Sequence, residues 1–249
     1  MIRIGIIGGS GLENPEILQS SEEKHVGTPY GAPSSTLLCG SLNGTEIVIL
    51  SRHGWLHTIP PSEVNNRANI YALKEAGCTH IISSTACGSL REEICRGDLV
   101  IPDQFIDFTR HRNITFFEEF EPGKMNHTPM ADPFNDDLRD LIISSARRIG
   151  FKIHEKGTLV TIEGPRFSTR AESKMFRIWG ADIINMSIAP EVILANELGI
   201  PYAAIAMSTD YDCWKEDEIP VSWEEVIDVF NRNVNNVLRL IMEVIRVIK

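Results

Sequence analysis

The stretch NNRANIYALKEAGCTHIISSTACGS, residues 65–89, decides the fold that the sequence predicts. Apolar residues recur at helical spacing over 65–75, and Gly77 ends the predicted helix. The run 80–84 predicts a short buried strand, which stops at a loop of small residues over 85–89. A helix that leads directly into a buried strand is typical of an α/β fold built on a largely parallel sheet.

The alternation of strands and helices continues along the whole chain. Strands are predicted at 2–7, 98–102, 156–162, 182–185 and 200–207, with a hairpin of 36–42 and 45–50 around Asn43-Gly44. Helices are predicted at 136–149, 170–179, 190–198 and 222–248. The stretch 105–133 has no clear periodicity and is interpreted as a long functional loop. The sequence therefore predicts one α/β domain over 1–249, in which helices flank a central mixed, largely parallel sheet.

Composition narrows the class of protein. The 249 residues carry a formal net charge of −10 without a run of Lys or Arg, which argues against a nucleic-acid partner. The five cysteines form neither a CxxC motif nor a Cys/His ligand spacing, and no long uncharged apolar run is present. We therefore expect a soluble, reduced, cytoplasmic protein that binds neither structural zinc nor a membrane.

Short polar loops follow many of the predicted strands. They are GGSG (8–11), SRHG (51–54), TACGS (85–89), EGPRFST (163–169), NMS (185–187) and STDYD (208–212). Ligands of such sheets bind beside the carboxyl ends of the strands. Polar groups at so many strand ends therefore predict one shared pocket.

Three of these loops suit an anion: GGSG, SRHG and TACGS, whose small residues leave backbone N–H groups and hydroxyls free for an anion, with a plain small-residue turn as the alternative. The glycines of GGSG let backbone N–H groups approach a phosphate and Ser10 adds a hydroxyl, although a tight turn is an alternative. Asn14 stands where the dinucleotide fingerprint requires glycine. In SRHG, Arg52 offers a planar donor fork and His53 a further donor, with a surface Arg–His pair as the alternative. In the TACGS loop, Cys87 is interpreted as a buried, inert thiol because no base can be assigned to it.

The loop STDYD contains two acids one residue apart, Asp210 and Asp212. In an extended chain both side chains point the same way, and two carboxylates so close should raise the pKa of one of them. A protonated acid beside an ionised one offers a donor and an acceptor, as an amino-substituted purine requires. A solvated acidic turn and a metal site are the alternatives; no further ligand cluster can be placed beside the pair.

The chain resembles the trimeric purine nucleoside phosphorylase family, and within it the branch that acts on 5′-methylthioadenosine. The stretches that carry the resemblance are IGIIGGSGL (4–12), SRHG (51–54), EAGCTHIISSTACGSLREEI (75–94), TIEGPRFSTRAESKMFRIWGADIINMS (161–187) and STDYDCWKE (208–216). The resemblance implies a phosphorylase/hydrolase-like fold and a pentosyl transfer in which inorganic phosphate displaces a purine base. It implies no metal and no organic cofactor, and a homotrimer, with a dimer of trimers as a second possible assembly.

The resemblance also implies roles for individual residues. It assigns phosphate binding to Ser10, Arg52, His53, Thr85, Ala86 and Ser187. It assigns the nucleoside to Met186, Phe167, Ser168, Asp210, Tyr211, Asp212, Trp223, Val226 and Ile227, and to His127 from a neighbouring subunit. Asp210 would help to protonate the purine ring nitrogen, and Asp212 would accept from the 6-amino group.

Two positions favour an aminopurine over a 6-oxopurine. Relatives that take oxopurines resemble each other in carrying Glu where this chain has Ser168, and Asn where it has Asp210. The specificity for the 5′ substituent is left undecided by the resemblance. Trp223 stands where relatives that take methylthioadenosine are similar to one another in having a small residue. A broader purine nucleoside phosphorylase is therefore the first alternative. A non-catalytic nucleotide sensor and a dehydrogenase with a degenerate glycine loop are the others.

Overall fold

The computed structural model describes residues 2–8, 18–218 and 222–248. The strands in these ranges are β1 (Arg3–Gly8), β2 (Gln19–Lys24), β3 (Leu37–Leu42), β4 (Thr45–Ser51), β5 (His80–Ser89), β6 (Leu99–Val100), β7 (Gln104–Phe108), β8 (Ile153–His154), β9 (Thr158–Ile162), β10 (Ile183–Asn185) and β11 (Tyr202–Asp210). The α-helices are α1 (Asn66–Glu75), α2 (Asp136–Arg148), α3 (Arg170–Ile178), α4 (Ile188–Glu197) and α5 (Trp223–Val247).

The described strands form one mixed sheet that branches at β5. Its main path runs β2-β3-β4-β1-β5-β10-β9-β7, and β11 joins the other members through β5 and β6. Six of the ten strand pairings are parallel. Near its end β5 pairs with two strands at once, because Gly88 lies opposite Asp210 of β11 and Ile184 of β10. The predicted α/β fold with a mixed, largely parallel sheet is confirmed.

Helices cover both faces of this sheet. Ala203, Ile205 and Met207 of β11 belong to the same apolar cluster as residues of α2 and α5. The alternate residues Ala204 and Ala206 belong to the cluster that contains residues of α1 and α4. Every residue of β11 is buried, which explains why its sequence is a continuous apolar run rather than an alternating one.

Several predicted bounds were wrong, and one strand was missed. β11 runs over Tyr202–Asp210 rather than 200–207. β5 does not stop at Ser84 but continues to Ser89, because its last residues pair with β11 and β10. β2 was missed, since its sequence QSSEEK is entirely exposed at the edge of the sheet and has no apolar face. The first residues of the predicted loop 105–133 belong to β7, which pairs with β9. None of the described helices combines the length and apolarity that crossing a membrane requires.

Candidate active site

The carboxyl ends of β4, β10 and β11 meet the last residues of β5 around a cavity of about 500 Å³. It is lined by Arg52, His53, His57, Thr58, Ile59, Pro60, Pro61, Ser84, Thr85, Ala86, Cys87, Gly88, Ile162, Pro165, Phe167, Ser168, Ile184, Asn185, Met186, Ser187, Thr209, Asp210, Asp212, Val226, Ile227 and Phe230. The strand-end loops that were predicted to share one pocket do so wherever the structure describes them. β5 runs along this cavity, so the positions of its residues set the distance between the groups at the two ends of the cavity.

We use the term anion end for the part of the cavity around Arg52, Thr85 and Ser187. The hydroxyl groups of Thr85 and Ser187 lie 3.2 Å apart, and the Asn185 amide donates to Thr85 Oγ1 over 3.2 Å. Asn185 is itself held by the Thr161 hydroxyl, which donates to its Oδ1 over 2.8 Å. These buried hydroxyls, together with the α4 N-terminus that follows Ser187, are groups that hold an anion without carrying charge themselves.

Arg52 is placed at this end by a buried network. Its backbone N–H donates to Gly8 O over 2.9 Å, next to the end of β1. Its guanidinium group forms an ion pair with Glu191 and donates to Ser83 Oγ over 2.6 Å and to Ser84 O over 3.0 Å. Both ion-paired side chains are almost completely buried, with exposed fractions of 3% and 1%.

His53 differs from the donor that the sequence predicts. Its Nδ1 lies 2.8 Å from the carbonyl oxygen of Ile59, which can only accept, so Nδ1 carries the hydrogen. Burial, and then the positive charge of Arg52, lower the pKa of His53 to about 4. The neutral ring therefore has a lone pair on Nε2, which can accept a hydrogen bond but cannot donate one.

We use the term base end for the part of the cavity around Asp210, Asp212 and Ser168. Asp210 is the last residue of β11, and its Oδ1 accepts from the backbone N–H of Asp212 over 2.7 Å. The Thr209 hydroxyl donates to Asp210 Oδ2 over 2.8 Å. Ser168 donates to the Asp212 carboxylate, with Oγ 3.0 and 2.9 Å from its two oxygens.

The two acids both line the cavity, but not for the predicted reason. Asp212 has a φ of +50°, so the chain turns after Asp210 instead of continuing as an extended strand. The pKa of Asp210 is raised to about 6, chiefly by burial, and repulsion from Asp212 is a smaller cause. The pKa of Asp212 is also raised, again chiefly by burial, and its hydrogen bond from Ser168 opposes the rise. Desolvation, rather than the predicted mutual repulsion, is therefore the main reason why the pKa of Asp210 lies close to neutral pH.

The spacing between the two ends follows from β5. Thr85 contacts Ser187 at the anion end, and a Cβ atom added at Gly88 would lie 2.9 Å from Asp210 Oδ1 at the base end. Three residues of extended strand separate these positions, which corresponds to about 10 Å. Only glycine fits at position 88, because the same Cβ would also lie 3.0 Å from Ile184 Cγ2.

Apolar side chains form the remaining walls. Phe167 lines the cavity with 37% of its surface exposed, so its ring is accessible to a ligand. Met186 lines it beside Ser187, and Val226, Ile227 and Phe230 of α5 close another side. Ala86 also lines the anion end.

Several predicted site residues lie elsewhere or outside the described residues. Tyr211 does not line the cavity, because it turns away to pack on Trp214 and on the ammonium group of Lys215, which is 4.0 Å from its ring centroid. His127 is exposed and contacts the ring of Phe120 rather than the cavity of its own chain. Ser10 and the side chain of Trp223 lie outside the described residues.

The acid pair is not a solvated acidic turn, because Asp210 and Asp212 are only 5% and 6% exposed. The described residues contain no group of three or more His, Cys, Asp or Glu side chains that could hold a metal ion. Cys87 is buried, and burial raises its pKa well above the usual range, as an inert thiol requires.

Some important residues were missed in the sequence. Glu191 lies in the apolar helix IAPEVILANE, and an acid placed directly between apolar residues was the signal that could have found it. Thr209, Asn185 and Gly88 gave no comparable signal, because small polar residues and glycines are common at strand ends.

The chain is similar to known proteins over nearly its whole length. A sequence model described as the phosphorylase superfamily matches residues 3–246. Two S-methyl-5′-thioadenosine phosphorylases, from Xenopus tropicalis and Anopheles gambiae, are 54% and 53% identical to it, over 98% of this chain and 88% of each relative.

Solved structures agree with these sequence relationships. The methylthioadenosine phosphorylase from Schistosoma mansoni in complex with adenine superposes with a TM-score of 0.91 at 42% identity, over 98% of this chain and 91% of that chain. A mutant of the adenosine/methylthioadenosine phosphorylase from the same organism, in complex with methylthioadenosine, gives a TM-score of 0.91 at 41% identity with the same coverage.

Proposed function

The chain belongs to the phosphorylase superfamily, and on that premise we propose that it catalyses the phosphorolysis of 5′-methylthioadenosine. The products are adenine and 5-methylthioribose 1-phosphate, which places the enzyme in purine and methionine salvage. Phosphate attacks C1′ of the ribose, the C1′–N9 bond breaks, and its electron pair moves into the purine ring. Inorganic phosphate is a co-substrate, and no step of this reaction requires a metal or an organic cofactor.

One observation carries this proposal: a single cavity holds buried hydroxyls with Arg52 at one end and the buried Asp210 about 10 Å away at the other. That separation leaves room for a ribose between an anion and a purine. Thr85 and Ser187, with the α4 N-terminus, hold the phosphate on one side of the sugar. Positioning the nucleophile removes the entropic cost of bringing it to C1′.

Asp210 supplies the second requirement, which is neutralisation of the departing purine. With a pKa of about 6 it carries a proton in about half of the molecules at pH 6 and in about a tenth of them at pH 7. It donates this proton to N7 as the C1′–N9 bond breaks. Asp212, fixed by Ser168, accepts from the 6-amino group, so the pair suits adenine better than a 6-oxopurine.

The 5′ substituent meets an apolar wall. Val226, Ile227 and Phe230 offer no hydrogen-bonding side chain, so a methylthio group is favoured over a hydroxyl. Adenosine is the second candidate substrate, because the similar Schistosoma mansoni protein is an adenosine/methylthioadenosine phosphorylase.

We also propose a cytoplasmic homotrimer formed from single-domain subunits over 1–249. All five cysteines are free, which suits a reducing compartment. Exposed apolar side chains support assembly, among them Ile178 and Trp179 with exposed fractions of 84% and 50%. In such an assembly His127 reaches the 5′ side of a neighbour's cavity. Light scattering should give about three times the chain mass of 27.9 kDa.

Initial rates test the proposed reaction. Methylthioadenosine, methylthioinosine, adenosine and inosine are compared with and without phosphate, and free base is measured. We expect release of adenine from methylthioadenosine that depends on phosphate. Inosine turned over at least as fast would favour the broader phosphorylase. Binding of the nucleoside without base release would favour a sensor, and binding of a nicotinamide cofactor would favour a dehydrogenase.

A further inference from the structure

Glu191 is buried deep beside the place where an anion is proposed to bind. Its carboxylate accepts from Arg52, whose Nη2 lies 3.2 Å from Oε2, from Ser83 Oγ at 2.9 Å and from Tyr202 Oη at 2.7 Å. All the partners named here donate, and one of them is an arginine, which is the set of partners that an ion-paired carboxylate accepts from. The anion end therefore contains a full negative charge before phosphate arrives.

This charge cancels that of Arg52. Among the described residues that line the cavity, Arg52 is the one permanent cation, and His53 beside it is neutral. A second arginine near His53, Arg112, is itself paired with Glu163, at 3.4 Å. The described part of the anion end is thus close to electrically neutral, and its hydroxyls and helix N-terminus provide dipoles rather than charge.

A carboxylate is not needed merely to hold Arg52. Carbonyl oxygens already accept from its guanidinium group, as Ser84 O does at 3.0 Å, and a neutral amide in place of Glu191 could accept in the same way. Burying an ion pair is a poor way to gain stability, because desolvation offsets the attraction between the partners. The negative charge itself requires another explanation.

We propose that Glu191 sets the charge of the anion end: by neutralising Arg52 it leaves the negative charge of bound phosphate facing the sugar. The cleavage produces a cation-like sugar, and an anion whose charge the protein has not already cancelled stabilises that sugar better. Glu191 is thus a positioning residue that acts through Arg52 and touches no reacting atom. This inference rests on the proposed phosphorolysis.

The test compares Glu191→Gln with Tyr202→Phe. The first variant keeps the shape and removes the charge, whereas the second removes a donor from the same carboxylate and leaves its charge unchanged. With Arg52 no longer neutralised, Glu191→Gln should lower the calorimetric Kd and the KM for inorganic phosphate at least about threefold, and lower kcat about tenfold or more. The KM for methylthioadenosine should stay within about twofold, and Tyr202→Phe should change each constant by less than about twofold.

A change of the phosphate constants in the opposite direction would overturn the inference. If Glu191 only oriented Arg52, the Kd and KM for phosphate would rise in Glu191→Gln, and unchanged values would equally reject a role in charge. The Kd needs no turnover, so it tests the inference even if the wild-type enzyme releases no adenine, a result that would reject the proposed function separately.

A second measurement covers a Glu191→Gln variant that does not fold. On the wild-type protein, raising the ionic strength from about 20 to about 200 mM screens charge–charge attraction. A neutral site predicts that the Kd for phosphate does not rise. A rise of several-fold would mean that a net positive site binds the anion, and would reject the inference.

Discussion

The anion end and the base end of the cavity differ in whether their buried ionisable groups form ion pairs. At the anion end, Arg52 is matched by Glu191 and surrounded by hydroxyls. At the base end, Asp210 and Asp212 form no ion pair within the described residues, and burial raises the pKa of both. The described part of the anion end therefore carries almost no net charge, whereas the base end contains an acid, Asp210, whose pKa lies close to neutral pH.

The difference follows from what each end must do. A nucleophilic anion needs directed donors, and a surplus cation would only stabilise it before it reacts. A leaving purine needs a proton, which an acid paired with arginine would no longer hold near neutral pH. The following changes would break or sharpen this comparison.

The largest effect is expected from Asp210→Asn, which keeps the size of the side chain and removes the transferable proton at the base end. We expect kcat to fall by about a hundredfold or more, because general acid assistance is lost. The Kd for phosphate should change little, since the anion end is untouched. Asp137→Asn, an exposed residue of α2, is the matched control. A variant with nearly normal turnover would contradict the role given to Asp210.

The next effect is expected on the pH dependence of turnover, which should depend on Asp210 at the base end and not on the anion end. In the proposed reaction only protonated Asp210 is active, so kcat/KM for methylthioadenosine, which reports pKa values of the free enzyme, should fall about tenfold per pH unit well above the pKa of about 6. This alkaline limb should be absent from the residual activity of Asp210→Asn. The same limb in the variant would assign it to another group.

The same pKa predicts a cost in stability. Its rise from 3.8 to about 6 means that the folded state holds the proton more tightly than the unfolded chain. Folding stability is therefore full below pH 4 as far as this group is concerned, and is lost as the pH rises towards 6 and above. The rise corresponds to about 3 kcal/mol, so Asp210→Asn should be more stable than wild type at pH 8 by up to about that amount. Urea unfolding at pH 4 and pH 8 checks this, and a variant no more stable at pH 8 would contradict it.

A smaller effect is expected from the double change Ser168→Glu with Asp210→Asn. It removes the donor to Asp212 and gives the base end a carboxylate and an amide, which suit a 6-oxopurine. The ratio of kcat/KM for methylthioinosine to that for methylthioadenosine should rise by about tenfold or more. Ser168→Ala is the control for loss of the hydroxyl alone. An unchanged ratio would mean that these residues do not read the purine.

The smallest effect is expected on the 5′ side, which belongs to neither end. Ile227→Thr replaces an apolar group of the cavity wall with a hydroxyl, so the preference for methylthioadenosine over adenosine should fall by about fivefold to tenfold. Ile248→Thr, at a partly buried position outside the cavity, is the control. A preference that did not change would remove Ile227 from the 5′ site.

The sequence predicted the elements of the fold better than the details of the site. Long periodic segments such as α2 and α5 were predicted within a residue or two, because burial of one helix face imposes a pattern on the chain. The polar edge strand β2 has no such pattern. The continuation of β5 to Ser89 was missed because it depends on pairing with β10 and β11, which are distant in the sequence.

The site followed the same rule. Arg52, Ser187 and Asp210 stand at or just after strand ends, and the sheet brings them together beside Thr85, which lies within β5. The tautomer of His53 depends on Ile59, six residues away, and the partner of Arg52 comes from a helix that begins more than a hundred residues later. Such contacts form only when the chain folds, so the neighbouring sequence contains no pattern that predicts them.

The most direct measurement of the central claim is a crystal structure of the enzyme with methylthioadenosine and sulfate, which replaces phosphate without reacting. The account predicts sulfate oxygens about 3 Å from the hydroxyls of Thr85 and Ser187, on one side of C1′. It predicts the purine N7 about 3 Å from the Asp210 carboxyl group in the same cavity. Sulfate bound elsewhere, or a purine whose N7 points away from Asp210, would contradict the account.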